Sequence, residues 1–118
     1  MYHELSKHEK KIARSIIDKG VEAEFRGGLE KAKQVIAEWE SGMLDNKSAY
    51  HKLFKAVNKQ DSRISKRYDG LTGSRYLLTV AAILYDGQIT DEEIRDFSDE
   101  AKQAIHSLIG FWKEDDEE

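Results

Sequence analysis

No proline occurs at any of the 118 positions of this chain. Proline is the strongest single stop to a helix, because it lacks the backbone donor and its ring collides with the preceding turn. Without it, only glycine and local turn chemistry can interrupt a long helix. β-branched residues are scattered, and no segment alternates apolar and polar positions for long enough to argue for a strand. The expectation is an all-α fold, a small helical bundle of about four helices. It would form one domain over residues 1–113, followed by a disordered acidic tail at 114–118. Hydrophobic residues at 39% and charged residues at 36% suit amphipathic helices with long solvated faces, or a chain that completes its burial by oligomerising.

The first helix is expected to open at Ser6, where Ser6 and Glu9 have the spacing of a capping box. Its apolar residues fall into two stripes. One holds Leu5, Ile12, Ala13 and Ile16; the other holds Val21, Phe25, Leu29, Ala32, Val35, Ile36, Trp39 and Met43. At about 100° per residue the second stripe is rotated by more than a right angle from the first. A kink or break is therefore expected near Gly20, with Gly27-Gly28 as a second weak point. Gly28 shares the second stripe with Ala32, where small side chains would let another backbone approach. That stripe carries more apolar surface than one short helix can cover, so Phe25, Gly28, Ala32 and Trp39 are the expected contacts of a homodimer.

The second helix is expected over 46–68, capped by Asn46 or Ser48 and stopped by Asp69-Gly70. Tyr50, Leu53, Phe54, Val57, Ile64 and Tyr68 form its core stripe. Asp61 lies on that same face, which marks it as a buried polar residue needing a partner, with Arg75 or an arginine of a second chain as candidates. The third segment, 74–85, includes YLLTVAAILY and is apolar all round, so it should be the buried centre of the fold. A fourth helix is expected from Thr90, with Glu93 completing a second capping box, and Ile94, Phe97, Ala101, Ile105, Leu108 and Trp112 as its stripe.

Charge is segregated along the chain. Residues 1–45, 46–75 and 76–118 carry net charges of −1, +6 and −9. Within the basic block Lys52, Lys55, Lys59, Arg63 and Lys66 recur three or four apart, on the side of the second helix away from its apolar stripe. A solvated helix normally intersperses Glu with Lys at i, i+4, so a face of one sign points to an acidic partner. No aromatic residue interleaves the stripe for base stacking, and the chain as a whole is acidic.

Other chemistries have thin support. There is no cysteine, which removes disulfides, thiolate catalysis and Cys-ligated metals. The segment from Asp86 through Gly87 and Ile89 to Glu93 resembles the second half of an EF-hand calcium loop. The first ligand positions would fall on Ala82 and Leu84, which offer no oxygen, so the segment is expected to be a turn. Of His3, His8, His51 and His106, only His8 has a neighbour that could share a metal, Glu4, and surface histidines are expected. Thr72-Gly73-Ser74-Arg75 has the form of a capped helix start, and neither a phosphate loop nor a nucleophile elbow is recognisable. The N-terminal stretch lacks a signal-peptide core, and the longest apolar run is about half a membrane span.

These features together lead to the expectation of a cytoplasmic, non-enzymatic regulatory or adaptor module acting through protein–protein contacts as a homodimer. No cofactor, metal or membrane is expected. Its partner would be an acidic protein surface or a second copy. The alternative is nucleic-acid binding through the basic face of the second helix.

Overall fold

The computed structural model describes residues 4–117; His3 and Glu118, the last residue of the expected tail, lie outside them. The fold is an all-α small helical bundle, with no strand among the described residues. Its helices are α1 (Lys7–Glu40), α2 (Asn46–Tyr68), α3 (Tyr76–Tyr85) and α4 (Asp99–Glu117), with 3-10 turns at Gly73–Arg75 and Asp91–Ile94. The chain divides into two compact units. One combines the residues up to Gly20 with those from Gly70 onward; the other is Val21–Asp69.

Helix α1 continues past Gly20, Gly27 and Gly28, so no break interrupts it there. The change of stripe that suggested it has another cause. The first half of α1 buries Ala13, Ile16 and Ile17 within the first unit, and the second half buries Glu24 and Val35 within the second. One helix serves two units, and each half presents the face its own unit requires.

In the first unit α3 is apolar on every side and buries Leu77, Thr79, Val80, Ala81 and Ile83, as its composition demands. The Thr79 hydroxyl donates to the Arg75 carbonyl at 3.0 Å, which satisfies the polar atom that burial would otherwise strand. Helix α4 buries Ala101, Ile105 and Ile109 at i, i+4 and i+8, a regular core-facing stripe. Val80, Ile83, Ile94 and Ile105 are closed off entirely; each is worth about 1.5–3 kcal/mol over an exposed position.

The Ser6–Glu9 capping box forms: the Ser6 N–H donates to Glu9 Oε1 at 3.2 Å and the Glu9 N–H to Ser6 Oγ at 3.1 Å. Glu9 does more, since its second oxygen accepts the Ser98 N–H at 3.0 Å. Ser98 is the cap of α4. Its Oγ accepts the Ala101 N–H at 3.2 Å, and its carbonyl accepts the Lys102 N–H at 3.0 Å. The fourth helix thus starts at Asp99 and not at Thr90. Thr90 and Glu93 frame only a 3-10 turn: the Thr90 side chain makes no cap bond, and the Glu93 carboxylate accepts from Lys19 Nζ at 2.9 Å. At the other end, residues 114–117, expected to be disordered, continue α4. A helix anchored by Ile105, Ile109 and the Trp112–Tyr85 ring contact propagates cheaply when nothing stops it.

The second unit is a helical hairpin. Gly42, at φ 85, takes the left-handed conformation that ends α1, and residues 41–45 reverse the chain. Neither Asn46 nor Ser48 caps α2: Asp45 does, its Oδ1 accepting the Ser48 N–H at 2.7 Å. Asn46 is occupied elsewhere, accepting the Trp39 Nε1–H at 2.7 Å across the hairpin tip. Glu38 meets Lys52 at 3.1 Å and Glu24 meets Gln60 and Arg63, so the two helices run antiparallel.

Candidate interaction surfaces

The hairpin's interior is small. Its buried side chains are Val35, Ala49, Ile64 and the carboxylate Glu24, which is only 4% exposed. Gln60 Nε2 reaches Glu24 Oε2 at 2.7 Å and the Glu24 carbonyl at 2.8 Å, and Arg63 Nε reaches Oε2 at 3.1 Å. Arg67 approaches to 3.9 Å. A buried carboxylate is tolerable only with such donors, and here they lock α1 to α2. Neither Glu24 nor Gln60 stands out in the sequence. The only signal is that Gln60, Arg63 and Arg67 recur at helical spacing on the inner side of α2.

Gly28 was expected to admit a second chain's backbone, but the room it leaves is taken within the hairpin. A Cβ there would lie 3.0 Å from Gln60 Cγ, and Gln60 Nε2 donates to both the carbonyl and the carboxylate of Glu24. Gly28 belongs to the α1–α2 contact.

The basic stripe is exposed but divided. Lys52 is paired with Glu38 and Arg63 with Glu24, while Lys55, Lys59 and Lys66 form no ion pair with described residues. Three free cations therefore remain of the five.

The expected core stripe of α2 is a correction. Leu53 is half-buried and Ile64 buried, but Tyr50, Phe54 and Val57 are 70%, 57% and 51% exposed. Asp61, expected to be buried among them and paired, is exposed and forms no ion pair with described residues. Its wheel position was correct; the face itself is uncovered within the chain. On α1 Phe25, Leu29, Ile36 and Trp39 are likewise exposed, with Ala32 half-buried between them. The two faces adjoin: Val35, Ile36 and Trp39 of α1 and Asn46, Ala49, Tyr50 and Leu53 of α2 line one groove of about 340 Å³. The hairpin thus has an apolar side, and α2 turns its free lysines away from it.

The first unit carries a second cleft, of about 370 Å³, with charges of both signs from Lys11, Lys19, Glu93, Arg95 and Asp96. Among the described residues no three His, Cys, Asp or Glu side chains gather where a metal could be held. The Asp86–Glu93 segment resembling part of a calcium loop is a turn centred on Gly87 at φ 77, leading into the 3-10 turn. No helix among the described residues is long and apolar enough to cross a membrane.

Glu9, Asp45 and Glu93 have shifted titration. Burial pushes Glu9 up, but the N–H groups and hydroxyls of Ser98 and Ser6 outweigh it and hold the group below its ordinary value. The Ser48 amide lowers Asp45, and the Lys19 ammonium lowers Glu93. All three are structural roles at helix starts or ion pairs.

Compared with known proteins, the chain matches no family model, no curated protein and no solved structure.

Proposed function

We propose that this chain is a non-enzymatic regulatory or adaptor module of the cytoplasm that works through protein–protein contacts made by its helical hairpin. One observation carries the proposal. The second unit buries only Val35, Ala49 and Ile64 among its apolar side chains, yet leaves eight large ones substantially exposed: Phe25, Leu29, Ile36, Trp39, Met43, Tyr50, Phe54 and Val57. A contiguous apolar side of that extent on a small hairpin is the mark of a contact surface. Aromatic residues and methionine dominate it, the types that anchor interfaces. The free Lys55, Lys59 and Lys66 add an electrostatic site for an acidic protein surface.

The test compares the wild-type chain with a variant carrying Phe25→Ser, Trp39→Ser and Phe54→Ser, by light scattering and by affinity capture. The wild type is expected to associate with protein, itself or another, and the variant to lose that association while circular dichroism shows its helices intact. A wild type that stays monomeric and captures nothing the variant does not would overturn the proposal.

A second function, nucleic-acid binding, is favoured by the three unpaired lysines on one face of α2. Titration with short single- and double-stranded DNA and RNA at two salt concentrations tests it. Binding that falls steeply with salt and disappears when Lys55, Lys59 and Lys66 become alanine would establish it.

A further inference from the structure

We infer that the occupant of the apolar hairpin side is a second copy of this chain, laid antiparallel across it about a two-fold axis at Phe54. The inference rests on the proposed reading of that side as a protein contact, and adds the partner and the register.

The spacing of the exposed residues is self-complementary. A two-fold axis perpendicular to α2 at Phe54 sets that ring against its own copy and Tyr50 against Val57 of the second copy. The ties of Glu24 to Gln60 and Arg63, and of Glu38 to Lys52, fix which part of α1 lies level with Phe54: the turn around Gln34. The same axis therefore sets Ala32 against Ile36 of the second copy and Leu29 against Trp39. Six of the eight large exposed side chains of the hairpin, Leu29, Ile36, Trp39, Tyr50, Phe54 and Val57, find an apolar counterpart in this one arrangement. The eight together expose on the order of 1,000 Å², against the roughly 800 Å² that each partner of a stable complex buries.

Charge picks the same register. Asp61 and Lys47 both lie exposed on α2 without an ion pair among the described residues. They stand seven residues either side of Phe54, so the axis brings Asp61 of each copy to Lys47 of the other. The parallel alternative would place α1 of one copy over α2 of the other and press Asp61 toward Phe25, which no buried carboxylate tolerates unpaired.

The experiment uses full-length chains and light scattering at micromolar concentration. Wild type is expected at twice 13.6 kDa. Asp61→Lys opposes two lysines at each end of the interface, and Lys47→Asp opposes two aspartates. Each variant alone is expected to dimerise at least about tenfold more weakly than wild type. Mixed in equal amounts, the two are expected to form a heterodimer close to wild type in strength, because both ends then regain opposite charges. Both positions are exposed in the single chain, so folding is not at stake. A monomeric wild type overturns the second copy as occupant; if the Phe25, Trp39 and Phe54 variant still loses a captured partner, the protein-contact reading survives that result. A dimer whose strength neither variant alters, or whose variants fail to rescue each other, overturns the register.

Discussion

Glu9 and Glu24 show what a carboxylate must have before it can be buried. Each sits below a tenth of full exposure, and each is surrounded by donors: amides and hydroxyls of Ser6 and Ser98 for Glu9, Gln60 and Arg63 for Glu24. For Glu9 the donors win over burial and the folded group titrates below its ordinary value. A carboxyl held lower in the folded state adds stability that is fully present above the unfolded pKa. That stability is lost as pH falls through the folded pKa. Glu9→Gln, which keeps the shape but cannot ionise, is expected to be less stable than wild type at neutral pH. The gap should narrow once the pH falls below the ordinary carboxylate range, because wild type alone gives up the Glu9 contribution there. Thermal melts of both proteins from pH 7 down to about pH 3 measure it. A gap that stays constant with pH would show that the Glu9 charge adds nothing. Glu9 was legible in the sequence as half of a capping box. Its bond to Ser98, which ties the start of α1 to the start of α4, was not, because local spacing carries no information about a residue 89 positions away.

At the scale of elements, the sequence reports reliably whatever is local and periodic. The span of α2 and the all-apolar α3 follow from pattern and stop residues, and both stand as read. The start of α4 was misplaced because two competing caps precede it. Thr90 and Ser98 are both good N-cap types, and the apolar stripe extends back through Phe97 and Ile94 to the earlier one. What decides is the cap bond itself: the Ser98 hydroxyl accepts the Ala101 N–H while Glu9 holds the Ser98 amide, whereas the Thr90 side chain makes no cap bond. Ser98→Ala is therefore expected to lower stability by about 1 kcal/mol, and Thr90→Ala by less than about half of that. Chemical denaturation of the two variants separates them, and the reverse ranking would return the helix start to Thr90. The stripe on α2 failed differently. Periodicity identified the apolar side correctly but could not say whether the chain itself covers that side. Tyr50, Phe54 and Val57 were assigned to a core that the hairpin does not possess. The basic stripe was equally visible, yet its pairing with Glu24 and Glu38 was not, and that pairing decides which of its charges are free.

The whole molecule joins two units with unequal means of holding themselves together. The first buries Val80 and Ile83 of α3 together with Ile94, Phe97 and Ile105, a core of the ordinary kind for its size. The second has Val35, Ala49, Ile64 and a carboxylate network, too little buried apolar surface to offset the ordering of two long helices. On the proposed reading, what covers the apolar side adds to its stability, because association stabilises by mass action. Hydrogen exchange should report this unevenness directly. In dilute solution the amides of α3 and of α4 near Ile105 are expected to be strongly protected, and those of α2 between Tyr50 and Ile64 weakly so. Raising the protein concentration through the association range should slow exchange in α2 and in the second half of α1 while leaving α3 unchanged. A partner other than a second copy would produce the same slowing only when added. Equal protection of α2 and α3 at the lowest concentration would mean the hairpin is stable alone. Its exposed aromatic side would then need no occupant.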